Sequence, residues 1–193
     1  MSMTKSSFCA GLISLLIPLL MAATQEAAAA SSCTPKPPST RLRVLSFEIG
    51  SCFEDAEKAA SSLGKRLEPR PSPSAMPKLK PYVIKGYGEA PEGSKPLEMV
   101  SLLMFDDAGR LILINENHIY DGPEKAKRAF GELDKVLTER YGGGKEIEGV
   151  FIKRWLKGDV LITLDLKKSE RGPNLRISYL DTTSSLKSLF GSR

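Results

Sequence analysis

The chain has 193 residues, with 28 Lys and Arg against 23 Asp and Glu, a formal net charge of +5 and a pI near 9.1. It holds one histidine and three cysteines, so a histidine-based triad would have to use His118, and a zinc site would be short of ligands. The length suits one domain with its own core or two small subdomains.

At the front, Lys5 precedes an apolar run from Phe8 to Ala23, broken by Pro18, and the small residues Ala27 to Ala30 follow. This order predicts a secretory signal peptide over residues 1–30, cut after Ala30 or, alternatively, near Ala23; an uncleaved anchor is the competing reading. The expected location is periplasmic or secreted. About 160 residues then remain, and none of their segments is long and apolar enough to span a bilayer. Cys9 leaves with the leader. Cys33 and Cys52 form an even pair in an oxidising compartment, and a disulfide between them is expected to tie the tail to the first helix, with two free thiols as the alternative. In that setting a mildly basic surface suits an envelope protein or an anionic polymer rather than nucleic acid; an ordinary solvated surface would look the same.

Residues 31–40, SSCTPKPPST, read as a Pro/Ser tether. Arg41 to Ile49 alternates as a single strand would, with Leu45, Phe47 and Ile49 on one face. Ser51 and Glu54 match a capping box for a short helix ending at Gly64, with Ala56, Ala59, Ala60 and Leu63 as its stripe. From Lys65 to Pro81, five prolines exclude helix or central strand, leaving a surface excursion that is either a spacer or a recognition loop. Tyr82 to Tyr87 returns as a strand. Leu97 to Phe105 and Arg110 to Tyr120 form a hairpin around Asp106-Asp107-Ala108-Gly109, apolar on both faces near the turn and therefore central.

The clearest helix runs from Pro123 to Tyr141. Asp121 or Gly122 can cap it, Pro123 suits its first position, and Ala126, Ala129, Phe130, Leu133, Val136 and Leu137 build one apolar stripe. Gly142-Gly143-Gly144 ends it. Such a stripe needs a surface to cover, and a sheet is the expected one. Strands follow at Gly149 to Leu156, Val160 to Leu166 and Leu175 to Leu180, with a polar turn over Lys167 to Asn174. A helical turn is expected at Ser185 to Phe190, within a C-terminal tail over residues 182–193. Helix–strand–strand–strand thus occurs twice, in halves 41–120 and 121–181, and Glu57-Lys58-Ala59 is echoed by Glu124-Lys125-Ala126; duplication and chance both remain open.

An Ile-Gly before a short helix, a Phe-Asp-x-x-Gly hairpin, a helix ending in Arg-Tyr-Gly, and then Trp, GDVLITL and ISYLD make a pattern over Ser46 to Asp181. It resembles one common among uncharacterised exported bacterial α+β proteins. In element order it is distantly similar to the outer-membrane-assembly lipoprotein and β-lactamase inhibitor protein repeats. The resemblance implies a small envelope module. Those repeats use paired helices where this chain has one, and no functional residue carries over.

Chemistry is sparse. His118, with Asn115, Glu116 and Asn117 beside it, belongs either to a polar sheet face or cleft, or to the structure alone. Gly142-Gly143-Gly144-Lys145 follows a helix instead of preceding one, which excludes a phosphate loop. Asp106 and Asp107 are adjacent, as in a turn, not alternating as in a calcium loop. No metal or other cofactor is expected. Trp155, flanked by Lys153, Arg154 and Lys157, is either a contact aromatic rimmed by cations or a core residue with basic neighbours. These features point to an α+β fold, an antiparallel sheet with one long helix on a face, open to reading as two α-β-β-β repeats. The expected function is non-catalytic binding of an envelope protein or anionic polymer. Two alternatives stand beside it: a small extracytoplasmic hydrolase whose carboxylates converge from separate strands, and a purely structural envelope component.

Overall fold

The computed structural model describes residues 33–183, which fall within one compact unit. The predicted leader, Ser31, Ser32 and the expected turn at Ser185–Phe190 lie outside them. After a 3-10 turn, Pro38–Thr40, the elements are β1 (Leu42–Val44), β2 (Phe47–Ile49), α1 (Phe53–Ser62), β3 (Glu68–Pro69), β4 (Lys80–Lys85), β5 (Glu98–Phe105) and β6 (Leu111–Ile119). Then come α2 (Pro123–Tyr141), β7 (Lys145–Glu146), β8 (Ile152–Lys157), β9 (Val160–Ser169) and β10 (Gly172–Asp181). The fold is α+β.

Eight strands form one antiparallel sheet in the order β3-β4-β5-β6-β10-β9-β8-β7, and β1 and β2 pair separately. The order is a palindrome about the β6–β10 pair. In each half a helix precedes a two-residue edge strand and three longer strands, so the element order read from the sequence recurs with one short strand added to each half. Both edges end in short segments carrying charge or proline, Glu68-Pro69 and Lys145-Glu146, which is how sheets discourage further strand addition.

Two-residue periodicity gives the sheet two unlike faces. One face contributes Leu103, Ile114, Ile162, Leu164, Ile177 and Tyr179 to the main core, and α2 lies on it with Ala126, Ala129, Leu133 and Leu137 buried. The alanines let the helix backbone come close while the leucines fill the space above β8, β9 and β10. Phe130, only partly buried, meets Phe151 edge-on at 5.7 Å. Over the other half, Phe47, Ile49, Ala56 and Ala60 join the same core, and Phe53, Tyr82 and Phe105 pack as an aromatic trio with centroids 4.8–5.6 Å apart.

Several expectations are corrected. Arg41–Ile49 is not one strand but a hairpin that turns at Leu45-Ser46, where Leu45 takes φ 54; folding back sends Val44, Phe47 and Ile49 all inward. The capping box does not form: Cys52 is the N-cap and no side chain caps α1. The backbone here is drawn into tertiary pairing instead, with Gly50 N–H donating to Leu111 C=O and Leu111 N–H to Ser51 C=O, both at 2.8 Å. Of the two caps expected for α2, Gly122 is the one used, and Asp121 pairs with Lys125 at 2.6 Å. The Pro-rich excursion contains β3, and its Met76 and Leu79 turn back onto the second face of the sheet against Met104, Ile112, Leu113 and Leu180. The polar turn over Lys167–Asn174 shrinks, because β9 and β10 pair out to Gly172 opposite Ser169.

Cys33 and Cys52 are joined by a disulfide. The strap that follows Cys33 carries Lys36, whose ammonium donates to the buried Asp181 at 2.8 Å and to Thr183 at 2.7 Å. This fastens the N-terminal segment to the end of β10.

Candidate functional site

Alternation along β6 separates residues that look like one polar group in the sequence. Asn115, Asn117 and Ile119 point to the second face, while Ile114, Glu116 and His118 point to the helix-covered face. His118 is 0% exposed and Glu116 1%. His118 Nε2 lies 3.7 Å from Glu116 Oε2.

Residues 86–95, between β4 and β5, cover this pair. The Glu89 N–H donates to Glu116 Oε2 at 2.5 Å, and the Glu89 carboxylate takes both arms of the Arg140 guanidinium from α2 at 2.8 and 2.6 Å. Ser101 donates its hydroxyl to Tyr87 C=O at 2.6 Å, and the Tyr87 hydroxyl accepts the Ser46 N–H at 2.9 Å. Gly88 has φ 153, and a Cβ there would stand 2.9 Å from Glu116 Oε2 and 3.0 Å from His118 Nε2. Only glycine lets the chain pass this close. Burial holds the Tyr179 hydroxyl well above the ordinary phenol range, with Glu116, Tyr141 and Glu89 pushing the same way and Arg140 opposing. Tyr141 is raised too, again first by burial. The result is a sealed acid–histidine–tyrosine cluster. Its one hydroxyl nucleophile of serine type, Ser101, is committed to a backbone carbonyl, and the histidine is buried out of reach of a substrate.

The other predicted residues do not join it. Trp155 is 2% exposed, so its ring presents no surface to a partner; its indole fills the space beside Gly144, where a Cβ would be 2.5 Å away. Lys153 stands next to it, 5.7 Å from the ring and paired with Asp134 at 2.7 Å. Arg154 points to the opposite face, and Lys157 is exposed at the β8–β9 turn. Two strands, β9 and β10, separate this set from His118. Among the described residues no group of three or more His, Cys, Asp or Glu is placed to hold a metal ion.

The second face of the sheet is left largely bare of helix. Beyond the patch under Met76 and Leu79, it forms a broad trough of about 750 Å³. Its floor is aliphatic and amide in character: Val83, Val100, Asn117, Ile119 and Asn174. Arg70 and Lys85 at one rim share Glu68 at 3.6 and 3.1 Å, and Arg171 at the other pairs with Glu98. Further along, Arg176 and Asp165 close at 2.5 Å. The trough's charges are thus largely paired off. Sequence reasoning missed this surface because it grouped Asn117 with His118; strict alternation was the signal that could have parted them.

The fold defines an α+β protein whose antiparallel sheet is backed by a long helix on one side and open on the other. The chain matches no protein-family model, no curated protein and no solved structure. Among the described residues no helix is long and apolar enough to cross a membrane.

Proposed function

We propose that this is a non-catalytic binding protein that acts outside the cytoplasm and engages a folded envelope protein through the open face of its sheet. The observation that carries the reading is the trough itself, with an aliphatic and amide floor and rims whose ions are already paired. Neutral amides and aliphatic side chains with a charged perimeter are the composition of protein–protein surfaces. An anionic polymer would call for a row of unpaired cations, whereas Arg171 has Glu98 and Arg70 and Lys85 share Glu68. The disulfide supports the compartment. A carboxylate hydrolase gains no support, since the best acid–histidine pair is sealed and Asp165 is tied to Arg176.

Envelope extract passed over immobilised wild type, Asn117→Arg in the trough and Arg128→Glu on the exposed side of α2 tests this. A protein held by wild type and Arg128→Glu, and lost with Asn117→Arg, is the expected result. Equal recovery by all three removes the trough from consideration. Retention of polyanion alone, sensitive to Arg128→Glu, would transfer the function to an anionic polymer on the helix side.

A further inference from the structure

At the end of the sheet where β5 meets β6 and β8 meets β9, strand register lays one apolar row across the second face. Leu156 lies opposite Leu161, Leu161 opposite Leu180, Leu180 opposite Leu113, Leu113 opposite Met104, and Met104 opposite Pro81. Met76 and Leu79 from the Pro-rich excursion pack on the middle of this row, where Leu113 is 4% and Leu180 7% exposed. The β8–β9 end is different. Leu161 is half-buried and Leu156 is 67% exposed, with no apolar side chain over them among the described residues. A lone exposed leucine is ordinary on a protein surface. Two neighbours that continue a covered row are its unfinished end.

The chain's own C-terminal segment sets out from this spot. After β10, the Thr182 N–H and hydroxyl both donate to Asp159 C=O at 2.8 Å, which fastens the chain to the β8–β9 turn three residues beyond Leu156. Ten residues follow Thr183, with the sequence SSLKSLFGSR. Leu186, Leu189 and Phe190 in it have the spacing of one side of a helical turn. A helix this short is marginal in water and needs a surface for its apolar side. Ser184 and Ser185 give the chain about 7 Å to round the strand ends before Leu186. Lys157 and Asp159 flank the spot with opposite charges, so apolar contact decides the docking. A tethered segment is present at an effective concentration of order millimolar, which a free partner has to outcompete.

We propose that the bare end of the apolar row is the docking surface for residues 184–193, with Leu186, Leu189 and Phe190 seated on Leu156 and Leu161. The C-terminal segment then does for β8 and β9 what Met76 and Leu79 do for the middle of the sheet. The trough is left open, because its floor at Ile119 and Asn174 lies at the opposite end of β10 from Leu180. The docking therefore stands or falls independently of what the trough binds.

Two measurements on the purified chain test it. In leucine-methyl NMR, Overhauser contacts between the Phe190 ring and the Leu156 and Leu161 methyls are expected, unchanged on dilution. The second is a double-mutant cycle in urea with Leu156→Ser and Phe190→Ser, both outside the trough. Each single variant should lower the folding equilibrium constant by roughly five- to tenfold, within the range for side chains in contact, and the double variant should cost no more than either alone. Asn117→Arg serves as the control, and its effect should simply add to that of Phe190→Ser. Absence of the Overhauser contacts, or additive effects of Leu156→Ser and Phe190→Ser, would overturn the proposal. Contacts that fade on dilution, with a dimer seen by light scattering, would overturn it in favour of a second copy on the row. The wild-type spectrum decides the matter even where a variant folds poorly.

Discussion

Tyr120 follows directly on β6; its side chain is buried and its backbone N–H donates to Pro173 C=O at 3.0 Å. Burial, and then the nearby Glu132 carboxylate, push its hydroxyl up to about 12. A phenol with a raised value in the folded state favours folding fully below its unfolded value near 10, and that contribution disappears as the pH climbs through the folded one. Two units correspond to about 2–3 kcal/mol. Urea midpoints should therefore fall steeply between roughly pH 10 and 12, and Tyr120→Phe should make that fall shallower. Tyr179 and Tyr141 are shifted the same way, so some slope should persist; an unchanged slope in Tyr120→Phe would refute the assignment. At this scale the sequence was legible only where period decides. It marks His118 as a strand residue, yet whether it faces a cleft or the interior depends on Glu89 and Arg140, which are 51 positions apart and meet only in the folded chain. Gly172 is a similar case. With φ 122 and room for no Cβ within 2.7 Å of Tyr120 C=O, it lets β10 begin three residues before the apolar pattern does.

Elements with their own local signature are those the sequence resolves best. The helix Pro123–Tyr141 has a proline start, an apolar stripe and a glycine stop, and it is formed with those bounds and with Leu133 and Leu137 buried. The β5–β6 hairpin is found around its Asp106–Gly109 turn, the Asp106 carboxylate accepting the Arg110 N–H at 2.8 Å. Failures fall where long-range pairing outbids local preference. Ser51 and Glu54 have the spacing of a capping box, but the Ser51 backbone bonds to β6 and the helix starts without it. The β1–β2 turn has no Gly, Asn or Asp to announce it, and Leu45 takes up a left-handed conformation that costs about 1–2 kcal/mol for a residue with a Cβ. The disulfide is the element most open to direct test. It closes a loop with a sequence separation of 19, for which chain entropy suggests about 3 kcal/mol. The double variant Cys33→Ser/Cys52→Ser should lower the urea midpoint accordingly, and freeing the strap should also release Lys36 from Asp181. A midpoint within experimental error of wild type would mean that Lys36 alone holds the segment.

For the molecule as a whole, the two halves share one interior. Phe47, Leu103 and Phe105 from the first half belong to the same buried cluster as Leu137, Ile162 and Tyr179 from the second. Neither half can lose its packing without uncovering the other. Thermal unfolding followed by far-ultraviolet circular dichroism and by Trp155 fluorescence is therefore expected to give one coincident transition. Two separated transitions would show that each half is stable alone. The palindromic strand order also bears on ancestry. A chain ending after β6 would leave one edge of that nine-residue strand unpaired, and the strand runs antiparallel to its counterpart β10. Two such half-length chains, meeting through those bare flanks about a twofold axis, would rebuild the eight-stranded sheet. A gene encoding a self-associating precursor would need only to be copied and fused end to end to arrive at this topology.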